Sequence, residues 1–236
     1  MTRFISPTCH SCPSRQSPLL GCCLSEELDF ITTTKSSQLY QKGQTIYQQG
    51  SPALGMYCIH QGKAKVSKVG GDGKEHITQL VQHGDVMGFQ ALLAGGAYAT
   101  SAVALEESIV CFVPRPDVLR LIQSNRQFSN TLLQLLAARL GEAQERMLRL
   151  AYKPVRERLA EALLLVQRTF DSVAAPTEPF TLAFSREDLA ALVGTAKETV
   201  SRLLTDYKDA GIIATRGSQI MILDSARLLA ISTRYD

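Results

Sequence analysis

Six cysteines are the residues of this 236-residue chain best suited to chemistry. Four crowd the N-terminus: Cys9 and Cys12 with two residues between them, then the adjacent pair Cys22-Cys23. Cys58 and Cys111 stand far along the chain. Two cysteines at that first spacing can reach one metal site, and four thiolates are the usual complement of an iron–sulfur cluster. A four-sulfur site from Cys9, Cys12, Cys22 and Cys23 suits zinc as well. The first 30 residues hold no continuous apolar stretch, so no signal peptide is read. No run approaches the roughly 18 apolar residues of a membrane span. A cytoplasmic location is therefore expected, where thiols stay reduced and serve as metal ligands, reactive groups or small buried hydrophobes. Cys58, between Tyr57 and Ile59, reads as core, and Cys111, between Val110 and Phe112, has that reading open to it too. A Cys22–Cys23 bridge would be strained. His10, between two of the thiols, reads as a surface residue.

A second group lies near the C-terminus. Lys197, Glu198, Ser201 and Arg202 share one face of a helix. Arg binds guanine bidentately, Glu accepts from cytosine N4, and Ser bonds to either partner of a pair. Arg186, Lys208, Arg216 and Ser218 are placed for phosphates, which set register rather than read sequence. Two plainer readings stand beside this. Glu198, three residues after Thr195, completes a capping box, and Lys197 and Arg202 are ordinary solvated charges. The net charge of +3 is too small to argue for nucleic acid by itself. No nucleophile elbow, P-loop or HExxH pattern is present, so no enzyme is expected.

The elements that must hold these groups follow from composition and period. Hydrophobic residues are 45% and charged residues 20%, which excludes a disordered or fibrous chain. Eleven of the 16 glycines fall between Gly43 and Gly96. They separate short runs rich in β-branched and aromatic residues: Gln44–Tyr47, Met56–His60, Ala64–Val69, His76–Val81, Ala99–Leu105 and Ser108–Val113. Such runs predict an antiparallel roll, with a hairpin at Gly70-Gly71-Asp72-Gly73. After Pro114 and Pro116 the chain turns helical. Leu136, Leu140, Ala143, Met147 and Leu150 recur at spacings of four and three, a seam suited to pairing with a second helix. The other reading is one helix laid on its own domain, widened by Leu132, Leu133 and Leu135. Pro154 ends this helix, Val155–Phe170 reads as another, and Asp171–Pro179 as a loop. Ser185–Val193 is read as a helix capped by Ser185 and Asp188, Gly194-Thr195-Ala196 as a turn, and Lys197–Ala210 as a second helix stopped by Gly211. Strands Ile212–Ala214 and Gln219–Leu223 flank Arg216-Gly217-Ser218. This order is a winged helix-turn-helix. The expected fold is α+β, with an N-terminal antiparallel β-roll, a long helix and a C-terminal winged helix-turn-helix. The boundaries are 1–25 for the cysteine-bearing segment, 26–124 for the roll, 125–152 for the long helix and 153–236 for the winged domain.

The stretch Val193 to Leu204, with Glu198-Thr199-Val200-Ser201-Arg202 at its centre, resembles the recognition element of the CRP/FNR transcription regulators. The roll, long helix and winged domain follow in that family's order over about residues 26–236. The spelling is closest to the FNR-like branch of iron–sulfur oxygen sensors. The resemblance implies a jelly-roll of the cyclic-nucleotide-binding kind, a homodimer paired through the long helix, and a palindromic DNA target of TTGAT-type half-sites. Glu198, Ser201 and Arg202 would read each half-site, and RNA polymerase would be a further partner. It implies a [4Fe–4S] cluster on Cys9, Cys12, Cys22 and Cys111, with Cys23 as substitute for Cys22. Haem, nitric oxide or a small molecule as effector, a zinc site, and a structural metal protein without regulatory DNA binding remain the alternatives. Where the cyclic-nucleotide branch has an acid and an arginine, this chain has Gly88-Phe89-Gln90-Ala91 and Ala99-Thr100-Ser101-Ala102. A phosphate buried without its cation is costly, so no cyclic nucleotide is expected. Nine residues separate Cys12 from Cys22, a longer gap than in the best-known members. Ala196 stands where the family has Ser or Thr, which shifts the expected helix cap to Thr195. Ala143 in the seam, where the branch has an acid that opposes pairing, points to a tighter dimer and a switch by reorientation.

Overall fold

The computed structural model describes residues 6–170, 181–217 and 219–233. The loop expected over 171–179 and Ser218 lie outside them. The chain opens with a 3₁₀ turn (Pro13–Gln16), a single helical turn α1 (Pro18–Gly21) and helix α2 (Ser25–Thr34). Strands β1 (Ser36–Tyr40), β2 (Thr45–Tyr47), β3 (Gly55–Gln61), β4 (Lys63–Val69), β5 (Glu75–Gln82) and β6 (Val86–Met87) follow. Next come helix α3 (Phe89–Ala94), β7 (Ser101–Ala104) and β8 (Ser108–Pro114). Helices α4 (Arg115–Ser124), α5 (Arg126–Tyr152) and α6 (Val155–Phe170) precede β9 (Thr181–Ala183), α7 (Arg186–Val193), α8 (Lys197–Asp209), β10 (Ile213–Arg216), β11 (Gln219–Ile222) and α9 (Ser225–Ser232). No helix among the described residues is long and apolar enough to cross a membrane.

Two compact units divide these elements. The first holds residues 1–69 and 78–142, the second residues 70–77 and 143–236. The first unit is the roll, with sheets ordered β1-β8-β3-β6 and β2-β7-β4-β5. Alternation along β3 and β8 sorts two kinds of side chain onto two faces. Tyr57 lies opposite Phe112 and packs inward against Tyr47 of the other sheet, ring centroids 5.1 Å apart. Cys58 lies opposite Cys111 and therefore points to the outer face of the same sheet. That face is covered by the N-terminal segment and α2, whose Leu28 and Ile31 are buried in the same core. Phe128 and Leu132 of α5 join that core too.

The chain turns helical at Pro114 and Pro116 as expected, and Pro116 sits in the first turn of α4, where the missing N–H costs no hydrogen bond. Several elements escape a reading by pattern. The short edge pieces β1 and β9, and the helices α3 and α9, carry too few residues for a period to show.

Helix α5 begins one residue after its cap. Asn125 Oδ1 accepts from the Phe128 amide at 2.9 Å. Along the seam, Leu136 is half-buried against the roll core, whereas Ala143 is exposed, Leu140 and Met147 are each 62% exposed, and Leu150 is 37% exposed. Leu133, 63% exposed, extends the same seven-residue stripe with Leu140 and Met147. Leu132 alone of the three residues expected to widen the face is fully inside.

In the second unit α6 is the core helix, with Leu159, Ala160, Leu163 and Val166 buried. Helices α7 and α8 and the sheet β10-β11-β9 complete the domain.

Candidate functional site

The outer face of β3 and β8 gathers cysteines from three parts of the chain. Cys9, Cys12, Cys58 and Cys111 all line one cavity of about 20 Å³, with Lys35, Ser14, Ile31 and Val113 among the other walls. A void of that size holds roughly one water molecule. Cys111 comes from the central strand β8, Cys58 from the neighbouring β3, and Cys9 and Cys12 from the irregular segment laid over them. Among the described residues, no three His, Cys, Asp or Glu side chains stand close enough to hold a single metal ion.

Polar groups frame the thiols. Lys35 Nζ lies 3.6 Å from Cys111 Sγ and donates to Pro7 O at 2.7 Å and Ser37 Oγ at 3.0 Å. Ser37 Oγ is 3.3 Å from the same sulfur. Cys12 Sγ is 3.2 Å from His60 Nδ1. Burial, and then the charge of Lys35, lower the His60 pKa, so this imidazole favours its neutral, proton-accepting form. Cys9 donates its amide to Thr32 Oγ1 at 3.1 Å. Burial raises the Cys9 thiol pKa and holds that of Cys58 well above the usual range. Both therefore favour the neutral thiol. His10 is bound to Asp29 at 2.8 Å and faces away from this chemistry.

Cys22 and Cys23 stand apart from that cavity. The Cys22 thiol donates to Leu19 O at 3.0 Å, closing the turn after α1. Cys23 is buried, and burial followed by the neighbouring Cys22 pushes its pKa up to about 12. Their turn is tied to the long helix through one side chain. Asn125 Nδ2 donates to Cys22 O at 3.2 Å and to Glu27 Oε2 at 2.7 Å while its oxygen caps α5. Asn125→Ala removes the cap and the tie together. The cap alone is worth about 1 kcal/mol, and the expected fall in melting temperature is roughly 2–4 °C per kcal/mol for a chain of this size. Calorimetry of the purified variant measures it.

The second unit presents the other predicted group. Ser185 Oγ accepts from the Asp188 amide at 2.9 Å and bonds the Asp188 carboxylate at 2.7 Å, which starts α7 as expected. Gly194 ends it at φ +73, a left-handed conformation that glycine adopts without strain. The cap of α8 is Ala196, not Thr195, and no side chain supplies its hydrogen bond. The alanine side chain has no acceptor for the first amides of the helix, and Ala196 O accepts only the ordinary first helical bond, from the Val200 amide at 3.2 Å. Val200, Leu203, Leu204 and Tyr207 are buried, which turns Lys197, Glu198 and Arg202 outward, with Ser201 half-exposed beside them. Lys197 is engaged with Glu187 of α7. Arg186 reaches Gly217 O at 3.4 Å, bracing the wing turn, and Arg216 is exposed at the end of β10. Lys208 is exposed on the last turn of α8.

Aromatic packing occupies the inside of the roll. Tyr98 Oη donates to Gly55 O at 2.7 Å, and its ring lies 4.5 Å from that of Tyr47. Gly88 takes φ +80, and a Cβ there would come within 3.0 Å of the Tyr98 ring. Cys58 is buried in the core as its neighbours in sequence predicted, whereas Lys35, His60 and Asn125 are residues around the thiols that sequence reasoning did not single out. One signal was available: Cys58 and His60, two apart on a strand, must share a face.

Comparison with known proteins agrees with this geometry. Residues 37–125 match the cyclic nucleotide-binding domain and residues 157–231 the Crp-like helix-turn-helix domain. The chain is 29% identical over 208 residues to the transcriptional activator protein anr of Pseudomonas aeruginosa, covering 88% of this chain and 85% of that one. It is 30% identical over 207 residues to the fumarate and nitrate reduction regulatory protein of Salmonella typhimurium, covering 88% and 82%. The solved structure of FixK2 from Bradyrhizobium japonicum superposes with a TM-score of 0.72 at 28% identity, over 84% of this chain and 96% of that one. These relatives are regulators rather than enzymes. A roll and a winged helix-turn-helix in this order, with a relative 30% identical over most of its length, place the chain in the CRP/FNR family of transcription regulators.

Proposed function

We propose that this regulator senses oxygen or redox state through a [4Fe–4S] cluster, and that the cluster's presence sets its affinity for DNA. The convergence of Cys9, Cys12 and Cys111 on one lysine-flanked cavity carries this reading. The donor chemistry fits, since soft thiolates beside a cation suit an iron–sulfur cluster. Lys35 offsets part of the thiolate charge, and neutral His60 is placed to take the Cys12 proton. The resemblance supplies a fourth thiolate from Cys22, or Cys23 in its place, both of which lie off the cavity. Cys9 and Cys12 of the N-terminal segment and Cys111 of β8 would hold the cluster, which would supply an oxygen-labile link. The chain's own residues do the rest.

Because the cavity is only about one water wide, loading must part the N-terminal segment from the outer face of the sheet. Asn125 joins that segment to the first turn of α5. The exposed stripe of Leu140, Ala143, Met147 and Leu150, with Leu136 at its inner end, pairs with the same stripe of a second copy. Two α8 helices then stand about one DNA turn apart, ~34 Å, on a palindrome of TTGAT-type half-sites. Glu198, Ser201 and Arg202 read base edges, while Lys197, Arg186 and Arg216 hold the backbone. Bound in this way, the dimer addresses RNA polymerase. A cyclic nucleotide has no part in this reading, because aromatic rings pack the roll interior and Gly88-Phe89-Gln90 brings no acid to it.

Purification without air tests the proposal. The expected material is coloured, carries roughly four irons and matching sulfide per chain, and shifts palindromic DNA more strongly before air than after. Stoichiometric zinc, or colourless protein equally competent on DNA in air, overturns it.

A further inference from the structure

We infer that the second unit carries a binding site for a small zwitterion, an amine whose ammonium meets Glu157 and whose carboxylate meets Arg156 and Arg227. The site uses none of the thiols and stands or falls independently of the cluster reading.

Pro154 precedes α6, and its carbonyl accepts from the Glu157 and Arg158 amides at 3.0 and 3.1 Å. Glu157 is thus the third residue of the helix, the position from which a glutamate ordinarily bonds back to the amide at the cap. Proline has no such amide. The carboxylate loses its usual local partner, and it is not left to water either, since Glu157 is only 4% exposed. Its Oε2 is sealed without a hydrogen-bond partner, and the carboxylate has no ion pair among the described residues. The helix dipole favours an acid in the first turn. That accounts for a glutamate at this position and not for its burial, because a carboxylate taken out of water without donors is costly.

The small surface Glu157 retains belongs to the wall of a cavity of about 580 Å³, formed wholly by residues of the second unit. Sites for small organic ligands span about 300–1,000 Å³. Arg156 and Arg227, both exposed, line the same cavity. Each is held by something other than the acid. The Arg156 guanidinium lies 5.7 Å from the centre of the Tyr207 ring, and Arg227 Nη1 donates to Ala210 O at 2.9 Å. Both signs of charge therefore face one cavity without closing on each other. A simple cation would meet two like charges there, and a simple anion would meet the buried acid. A molecule bearing both charges avoids both penalties. Its ammonium brings three donors to a carboxylate that has none, and its carboxylate matches the fork of a guanidinium. Ile212 and Ile231 give the cavity an apolar wall, which suits an aliphatic side chain. An α-amino acid and a short peptide with free ends share this chemistry.

Calorimetric titration of the full-length chain tests the inference with four probes: leucine, leucylleucine, 3-methylbutylamine (leucine without its carboxylate) and 4-methylpentanoate (leucine without its ammonium). Leucine, leucylleucine or both are expected to bind, and each single-charge fragment to bind about ten-fold or more weakly, because either truncation removes hydrogen bonds between charged groups. Glu157→Gln keeps the side chain's shape and removes its charge. It should weaken the zwitterion about ten-fold or more while leaving 4-methylpentanoate no weaker. Arg227→Ala, on the exposed side of α9, should weaken the zwitterion and 4-methylpentanoate and leave 3-methylbutylamine unchanged. Melting of each variant shows that it folds; should Glu157→Gln fail to, the Arg227→Ala pattern decides. The inference is overturned by fragments that bind as well as the zwitterions, by zwitterion affinity unaltered in the folded variants, or by no binding of leucine or leucylleucine up to roughly 10 mM, beyond the weak end of specific affinity.

Discussion

Arg202→Ala is expected to weaken binding to a TTGAT-type palindrome by about 30-fold or more, with no change in melting temperature. Arg202 is exposed on α8, four residues after Glu198 and on the same face. The residues that anchor the helix are Val200, Leu203, Leu204 and Tyr207, so truncating the guanidinium leaves the domain core intact. A bidentate contact to guanine is worth about 1–3 kcal/mol of discrimination per half-site. A dimer loses it twice, which yields the fold-change stated. A titration of labelled duplex at fixed salt measures the loss, and a duplex with the contacted pair exchanged separates base reading from general attraction. Truncating a residue proposed to hold the backbone, such as Arg216, should instead weaken all sequences alike and flatten the salt dependence. Equal affinity of the Arg202 variant for both duplexes and for the unchanged protein's site would remove α8 from its role as reader.

Cys111→Ser is expected to cut bound iron and sulfide about ten-fold or more in protein prepared without air. The substitution barely changes volume, and the buried hydroxyl inherits a partner in Ser37 Oγ, 3.3 Å from the sulfur it replaces. It therefore leaves no unsatisfied polar group, which would have cost about 1–3 kcal/mol. Folding stability of the metal-free protein should stay within about 1 kcal/mol of the unchanged chain. The two readouts diverge by design: a sulfur that only packs the sheet would leave iron content untouched. On DNA the Cys111 variant should bind without air as weakly as the unchanged protein does after air, because the proposed cluster would lose its ligand on β8.

The regular parts of the chain were legible because their signals are local. Alternating runs between glycines set the strands of the roll. Ser185 with Asp188, and Gly194 after Val193, bounded α7, because a cap and a left-handed residue act within one turn. The four-and-three spacing on α5 was read from its period, and the structure leaves Leu140, Met147 and Leu150 of that spacing exposed. Where a local signal was weak, the reading slipped. Thr195 was the better capping residue by type, yet the helix starts after Ala196, since the packing of Val200 and Leu204 sets the register and the cap bond is forgone.

Sequence alone singled out the candidate groups: a thiol-rich N-terminus, a distant Cys111, and a helix face with Lys197, Glu198, Ser201 and Arg202. Which of the thiols meet was decided only by the tertiary structure. Strand pairing puts Cys58 opposite Cys111 on the outer face of the roll, and the covering segment brings Cys9 and Cys12 over them while a tight turn keeps Cys22 and Cys23 aside. Period and spacing act over a few residues, whereas register between strands and the path of an irregular segment are set by the whole core.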